Sequence, residues 1–153
     1  MIKINVITNN VGWFRFFKNP NNYIDRKIKN LNLRNKNFKK NMIFLTLLLS
    51  GNKEIRQLNK KFRKKNKSTD VLSFPFYTKK NLKNKLKKEK EIYLGDIIVN
   101  FNKISKANLK DFKLEFNKLW IHGLIHLFGH KHNKEKDFKK MLKVENDYLK
   151  YIK

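Results

Sequence analysis

All four histidines of this chain, His122, His126, His130 and His132, fall within eleven residues of one another, and the chain contains no cysteine. Any bound metal ion must therefore take its ligands from His, Asp or Glu, since every thiolate site is excluded. His122 and His126 stand four apart in a segment with helical apolar spacing. Positions i and i+4 lie one above the other on a single helix face, so both imidazoles can reach one ion. Gly129 suits the left-handed conformation that ends a helix and turns the chain back, which carries His132 toward the same point. Three neutral imidazoles with an open fourth position make a catalytic-type zinc site, with Zn–N distances of about 2.0–2.1 Å. Imidazole also suits nickel and copper, so the spacing alone does not choose the metal.

The spacing His-x-x-x-His-x-x-Gly-x-x-His is shared with a class of zinc proteases, which place a general-base Glu directly after the first histidine. Gly123 occupies that position here, so the group that would take the proton in peptide hydrolysis is missing. His130 is open to three roles: a fourth ligand, a proton shuttle, or a hydrogen-bonding neighbour, the last being favoured. Glu115 lies one helical stripe before His122. It is expected either beside the imidazoles or, as the commoner case, in a surface salt bridge.

The elements that must position these groups read as follows. Ile2, Ile4 and Val6 alternate with Lys3 and Asn5, as in a half-buried strand. Pro20 opens a segment in which Tyr23, Ile24, Ile28 and Leu31 recur at helical spacing. Met42 to Leu49 is a nearly continuous apolar run ended by Ser50-Gly51-Asn52, which favours a buried strand. Ile55, Leu58 and Phe62 mark a helix that carries Arg56 and Arg63 and is broken at Asn66-Lys67-Ser68. Val71 to Phe76 reads as a strand, and Pro75 confines it to a sheet edge. From Lys79 to Lys90 the sequence is mostly Lys, Asn and Leu, expected as an exposed loop with room for helical turns, a solvated hairpin arm in preference to an RNA grip. Ile92 to Val99 forms a further strand. From Asp111 onward apolar residues occupy nearly every side of a helix whose second half must be buried. A last helix is expected to turn Phe138, Met141, Leu142, Tyr148, Leu149 and Ile152 toward the core. Strands and helices thus alternate in an α/β or α+β order, with no repeat and no linker dividing residues 1–153 into domains.

The 38 Lys and Arg against 12 Asp and Glu give a formal charge of +26, which permits a polyanionic partner by counterion release. Lys, Asn, Ile and Phe are abundant together, as an AT-rich coding sequence would produce, so charge alone does not establish RNA binding. The first residues alternate where a signal peptide would run apolar, and the longest apolar run is too short to cross a bilayer. A cytoplasmic protein with no membrane partner is expected.

Several blocks together resemble one family. His122-Gly-Leu-Ile-His-Leu-Phe-Gly-His-Lys-His132 is similar to the YbeY signature, H-G-x-x-H-L-x-G followed by Tyr or His and then D-H. Ser68 to Pro75 resembles its T-D-V-L-S-F-P block and Leu94-Gly95-Asp96-Ile97 its L-G-D-I strand. Leu58-Asn59 with Arg63 resembles its L-N-x-x-x-R helix, and Met141 with Glu145 the pattern of its last helix. The resemblance implies a one-domain α+β fold, a small mixed sheet packed with helices, with the metal site on a buried helix of the C-terminal half. It implies one zinc ion per chain on His122, His126 and His132, and a functional role for Arg63. His130 falls at the family's Tyr-or-His position, which is not a ligand. The implied activity is single-strand-specific endoribonuclease action in ribosomal RNA maturation and ribosome quality control, with single-stranded RNA, ribosomal RNA and ribosomal subunits as partners. A different class remains open, a ribosome-associated assembly factor with a structural zinc site and little catalysis. Lys131 replaces the family's Asp, which weakens the expected site unless Glu135 or Asp137 substitutes.

Overall fold

The apolar runs of the sequence decide the sheet. The computed structural model describes residues 1–36 and 39–153, and its strands are β1 (Ile2–Thr8), β2 (Met42–Ser50), β3 (Val71–Pro75) and β4 (Glu91–Asn100). Their order across the sheet is β1-β2-β4-β3. β1, β2 and β4 run parallel, and β3 is antiparallel at the edge where Pro75 lies. The helices are α1 (Pro20–Arg34), α2 (Asn52–Arg63), α3 (Lys79–Lys88), α4 (Leu109–Leu127) and α5 (Glu135–Tyr151). The result is the expected small α+β fold.

β2 is central because both its faces are apolar. Ile43, Leu45, Leu47 and Leu49 point into the main core shared with α1, α4 and α5. Leu48 points to the opposite face and packs in a smaller cluster around Ile55 of α2, Leu72 and Ile98. The sheet is therefore covered on one side by α1, α4 and α5 and partly on the other by α2. Pro20 stands in the first turn of α1, where its missing N–H costs nothing, and Asn19 caps the helix by accepting from Asn22 N at 3.0 Å.

Phe112, Phe116 and Trp120, each fully buried, recur every fourth residue on α4 and anchor it. They meet an aromatic cluster that the periodicity of the first residues did not reveal. Trp13, from a short 3-10 turn at Val11–Arg15, contacts Phe101, Phe112 and Phe116 edge-on, and its indole N–H donates to Ser50 O at 3.0 Å.

Three expectations need correction. Residues 79–88 are not a loop but the helix α3, capped by the Thr78 hydroxyl and docked by Leu82, which is buried among its polar neighbours. One apolar side chain with Leu86 four residues later suffices to seat a helix whose remaining residues are solvated. On α5, Met141, Tyr148 and Ile152 are buried, while Phe138 and Leu142 are 52% and 43% exposed, because they lie to one side of the stripe that meets the core. Helix α2 ends at Arg63, with Lys64 as its left-handed cap (φ 58°), before the Asn66-Lys67-Ser68 break.

Gly95 determines how β4 meets both layers. The register with β2 runs Phe44 to Tyr93 and then Thr46 to Asp96, so two residues of β4 oppose the single residue Leu45. This bulge resets the alternation. Tyr93 and Asp96, three apart, share the outer face and hydrogen-bond at 2.6 Å, while Leu94 and Ile97 both face the core. Gly95 has φ +132°, and a Cβ there would stand 2.1 Å from Phe74 O. Gly95→Ala is expected to destabilise the fold by about 3 kcal/mol through strain and clash, lowering the melting temperature by roughly 10 °C. An unchanged melting curve would show that the bulge does not hold the sheet as described.

Candidate metal centre

The C-terminal end of α4 brings together what the spacing foresaw. Gly129 has φ +86°; its N–H donates to His126 O at 2.9 Å, and His130 N–H donates to Ile125 O at 3.3 Å. This pair of bonds satisfies the last carbonyls of the helix and reverses the chain. His132 is thereby returned to His122 and His126. Ring centroids are 4.6 Å apart for His122 and His126, 5.0 Å for His126 and His132, and 5.8 Å for His122 and His132. Each imidazole offers one nitrogen, and these atoms all lie within 4.8 Å of one another.

The outer nitrogens of the helical pair are already engaged. His126 Nδ1 lies 2.8 Å from His130 O, which can only accept, so this nitrogen carries the proton. His122 Nδ1 lies 3.2 Å from Glu145 Oε2 on α5. With both Nδ1 atoms donating, the two Nε2 atoms face each other at 3.0 Å as lone pairs, an arrangement that a cation between them relieves. Nitrogens on a tetrahedral zinc stand roughly 3.3 Å apart, from Zn–N distances of about 2.05 Å, so the pair sits close to ligating separation. Burial, reinforced by the neighbouring His122 and His132, pushes His126 below the ordinary histidine pKa and keeps it neutral, the form that ligates. His132 is exposed and the other two are partly so, which leaves one side of the cluster open. The donor set fits a His-ligated metal ion.

Gly123 is pressed against the sheet. A Cβ there would lie 2.7 Å from Ile97 Cγ2 and 3.1 Å from Ser73 Oγ, whose hydroxyl reaches Gly123 O at 3.4 Å. The position where a zinc protease carries its glutamate thus points into β4 and β3, away from the imidazoles.

Other candidates fall elsewhere. Glu115 accepts from Ser105 N at 3.0 Å, and among the described residues it makes no ion pair and does not reach the imidazoles. His130 contributes its backbone carbonyl to His126, in keeping with the favoured neighbour role. Its ring is pushed to a lower pKa by burial and by Lys79. Glu135 pairs with Lys139 at 2.8 Å and Lys131 is exposed. The carboxylate at the site is Glu145, which the sequence marked only through its place in the pattern of the last helix. Arg63 is the exposed last residue of α2, on the far side of the sheet from α4. Beside it Phe62 packs on Phe74 of the edge strand, with ring centroids 5.4 Å apart.

A histidine pair on a helix end, completed past a glycine turn on a mixed four-stranded sheet, places the chain among α+β domains with a three-histidine candidate metal site. A family model described as Endoribonuclease YbeY matches residues 16–153. A protein of Pelagibacter ubique named Endoribonuclease YbeY is 44% identical over 156 residues, covering 100% of this chain and 97% of its own. One of Prochlorococcus marinus, with the same name, is 34% identical over 150 residues, covering 96% of this chain and 80% of its own. The solution structure of a Thermotoga maritima protein superposes with a TM-score of 0.57 at 22% identity, over 99% of this chain and 89% of that one, and shows the same fold. The chain belongs to the YbeY endoribonuclease family, and membership supports RNA-cleaving hydrolase chemistry. Among the described residues, no helix is long and apolar enough to cross a membrane.

Glu145 holds His122 in the tautomer that presents Nε2 inward. Glu145→Ala is expected to weaken binding of an added divalent metal ion 10–100-fold in a competition titration, with Glu145→Gln intermediate because its amide oxygen still accepts. Equal affinity in all three proteins would remove Glu145 from the site.

Proposed function

We propose that this chain is a zinc-dependent, single-strand-specific endoribonuclease acting in ribosomal RNA maturation and ribosome quality control in the cytoplasm, with His122, His126 and His132 as ligands of one zinc ion. The observation that carries the reading is the pair of inward Nε2 atoms at 3.0 Å, each ring held from outside by an acceptor, with a third imidazole beside them. Family membership supports RNA as substrate; single-strand preference and the ribosomal setting follow from the resemblance in sequence.

When bound, zinc would supply Lewis-acid polarisation of a phosphodiester and acidify water toward neutral pH, chemistry that needs no carboxylate at position 123. The chain's own groups do the rest. His122 and His126 are held neutral and aimed by Glu145 and His130 O, so the ligand set needs little reorganisation. Arg63, across the sheet from the metal centre, is assigned to a bidentate contact with a phosphate of the bound RNA, which an exposed guanidinium can make. Exposed lysines draw in the RNA backbone.

The core favours a catalytic over a structural metal. Among the described residues, the main core runs from Ile2 to Ile152, and the three imidazoles lie outside it, partly or fully exposed. Removing zinc with a chelator is expected to abolish cleavage of a single-stranded ribosomal RNA fragment and leave the far-ultraviolet circular dichroism intact. Unfolding on chelation, with no cleavage before it, would instead establish an assembly factor with a structural ion. His126→Ala should lose both bound zinc and cleavage. Arg63→Ala should keep the zinc and lower kcat/KM for the RNA fragment roughly 10–100-fold, as loss of one charge-assisted phosphate contact predicts; undiminished cleavage would free Arg63 of its assigned role.

A further inference from the structure

A groove of about 1220 Å³ lies between α3, the C-terminal end of α1 and α5, and closes at the end of α4. Among the described residues, its lining carries seven Lys and Arg side chains and a single acid, Asp147. Lys79, Lys83 and Lys87 stand four residues apart along α3, a stripe on one helix face with about 6 Å of axial rise between members. Arg34 and Lys40 contribute charge from the other wall. Among the described residues, only Lys85 and Lys139 of all the lysines and arginines pair with a carboxylate, so the stripe on α3 is not neutralised within the chain.

The floor is of a different kind. Tyr151, half-buried, lines it together with Tyr148, whose hydroxyl is occupied by Asn35 at 2.9 Å. The groove also reaches the imidazole cluster. His130 is part of its lining, and the carbonyl of His130 holds His126. Gly129, at the turn, packs on Lys79, the first residue of the basic stripe.

We infer that this groove is a binding site for single-stranded RNA, separate from the metal ligands, in which the α3 lysines contact phosphates while a base rests on Tyr151. The choice of ligand rests on the ribonuclease reading above. Charge complementarity and an aromatic face in one concave channel are what an unpaired strand uses. A duplex keeps its bases stacked inside, and a flat anionic membrane would not enter the channel. A strand seated here has one end at the turn that carries His130 and His132. The groove would thus hold the RNA to one side of the scissile bond and act on affinity for long substrates.

The test compares two triple variants of equal charge. Lys79→Ala/Lys83→Ala/Lys87→Ala removes the stripe while keeping the Lys79 Cβ against Gly129 and a strong helix former at each site. Lys18→Ala/Lys29→Ala/Lys110→Ala removes three exposed lysines outside the groove. Binding of a labelled single-stranded RNA is read by fluorescence anisotropy across a salt series. The groove variant is expected to bind roughly 10–100-fold more weakly at low salt, its log–log salt slope falling by about two, while the control changes by less than about threefold. Equal weakening in both variants would assign the effect to net charge and overturn the groove, as would unchanged binding in the groove variant. Cleavage is measured in parallel. Groove-dependent binding by a wild-type chain that cuts no RNA would sink the ribonuclease reading alone. Cleavage with groove-independent affinity would sink the groove alone.

Discussion

The close approach of α4 to the sheet at Gly123 is the contact on which the rest of the molecule depends. With no side chain at that position, the helix rests directly on Ile97 and Ser73, and its height above β4 and β3 is set by backbone against side chain. That height places Ile121, Leu124 and Ile125 in the core while leaving His122 and His126 half-exposed on the neighbouring face. A helix can be part of the core and part of the site only if one face stays free, and here the deep seating at Gly123 leaves that face to the two imidazoles. The bulge at Gly95 serves the same end from the sheet, since it turns Ile97 toward α4 and Ile98 toward α2 in consecutive positions.

The parts of this arrangement that could be read from sequence are those governed by local periodicity. The i,i+4 histidines, the glycine turn, the edge position of Pro75 and the buried strand at Met42 all follow from spacing rules acting over a few residues. The parts that could not be read depend on contacts distant in sequence. Glu145 meets His122 only because α5 folds back along α4, and nothing in a 23-residue separation announces that pairing. Trp13 is buried through its meeting with Phe101, Phe112 and Phe116, which its own neighbours do not encode. Helix α3 was concealed because lysine-rich composition looks alike in a loop and in a solvated helix, and only Leu82 distinguishes them. Phe138 and Leu142 were misassigned for the converse reason: an apolar residue on an amphipathic helix is buried only where a partner covers that side.

The charge of the chain and the acidity of its site are arranged against each other. A formal charge of +26 surrounds a cluster whose supporting carboxylate, Glu145, is only 18% exposed in its side chain. Shielding that carboxylate beside His122 keeps one anion available to the ligand set in a protein with few to spare, and it does so from α5, while position 131 is occupied by lysine. Positive charge is free to accumulate on the remaining surface because the local balance at the imidazoles is held by a group on another element.

The turn at Gly129 has a consequence for the molecule's mechanics. His132 belongs to neither α4 nor α5 but to the chain between them, and Glu145 reaches back from α5 to His122. The two helices are thus connected twice, once by the backbone through the turn and once by a side-chain strut between their faces, with the imidazole cluster lying between these ties. The angle between the last two helices and the convergence of the three rings are therefore coupled through the Gly129 turn and the Glu145 strut.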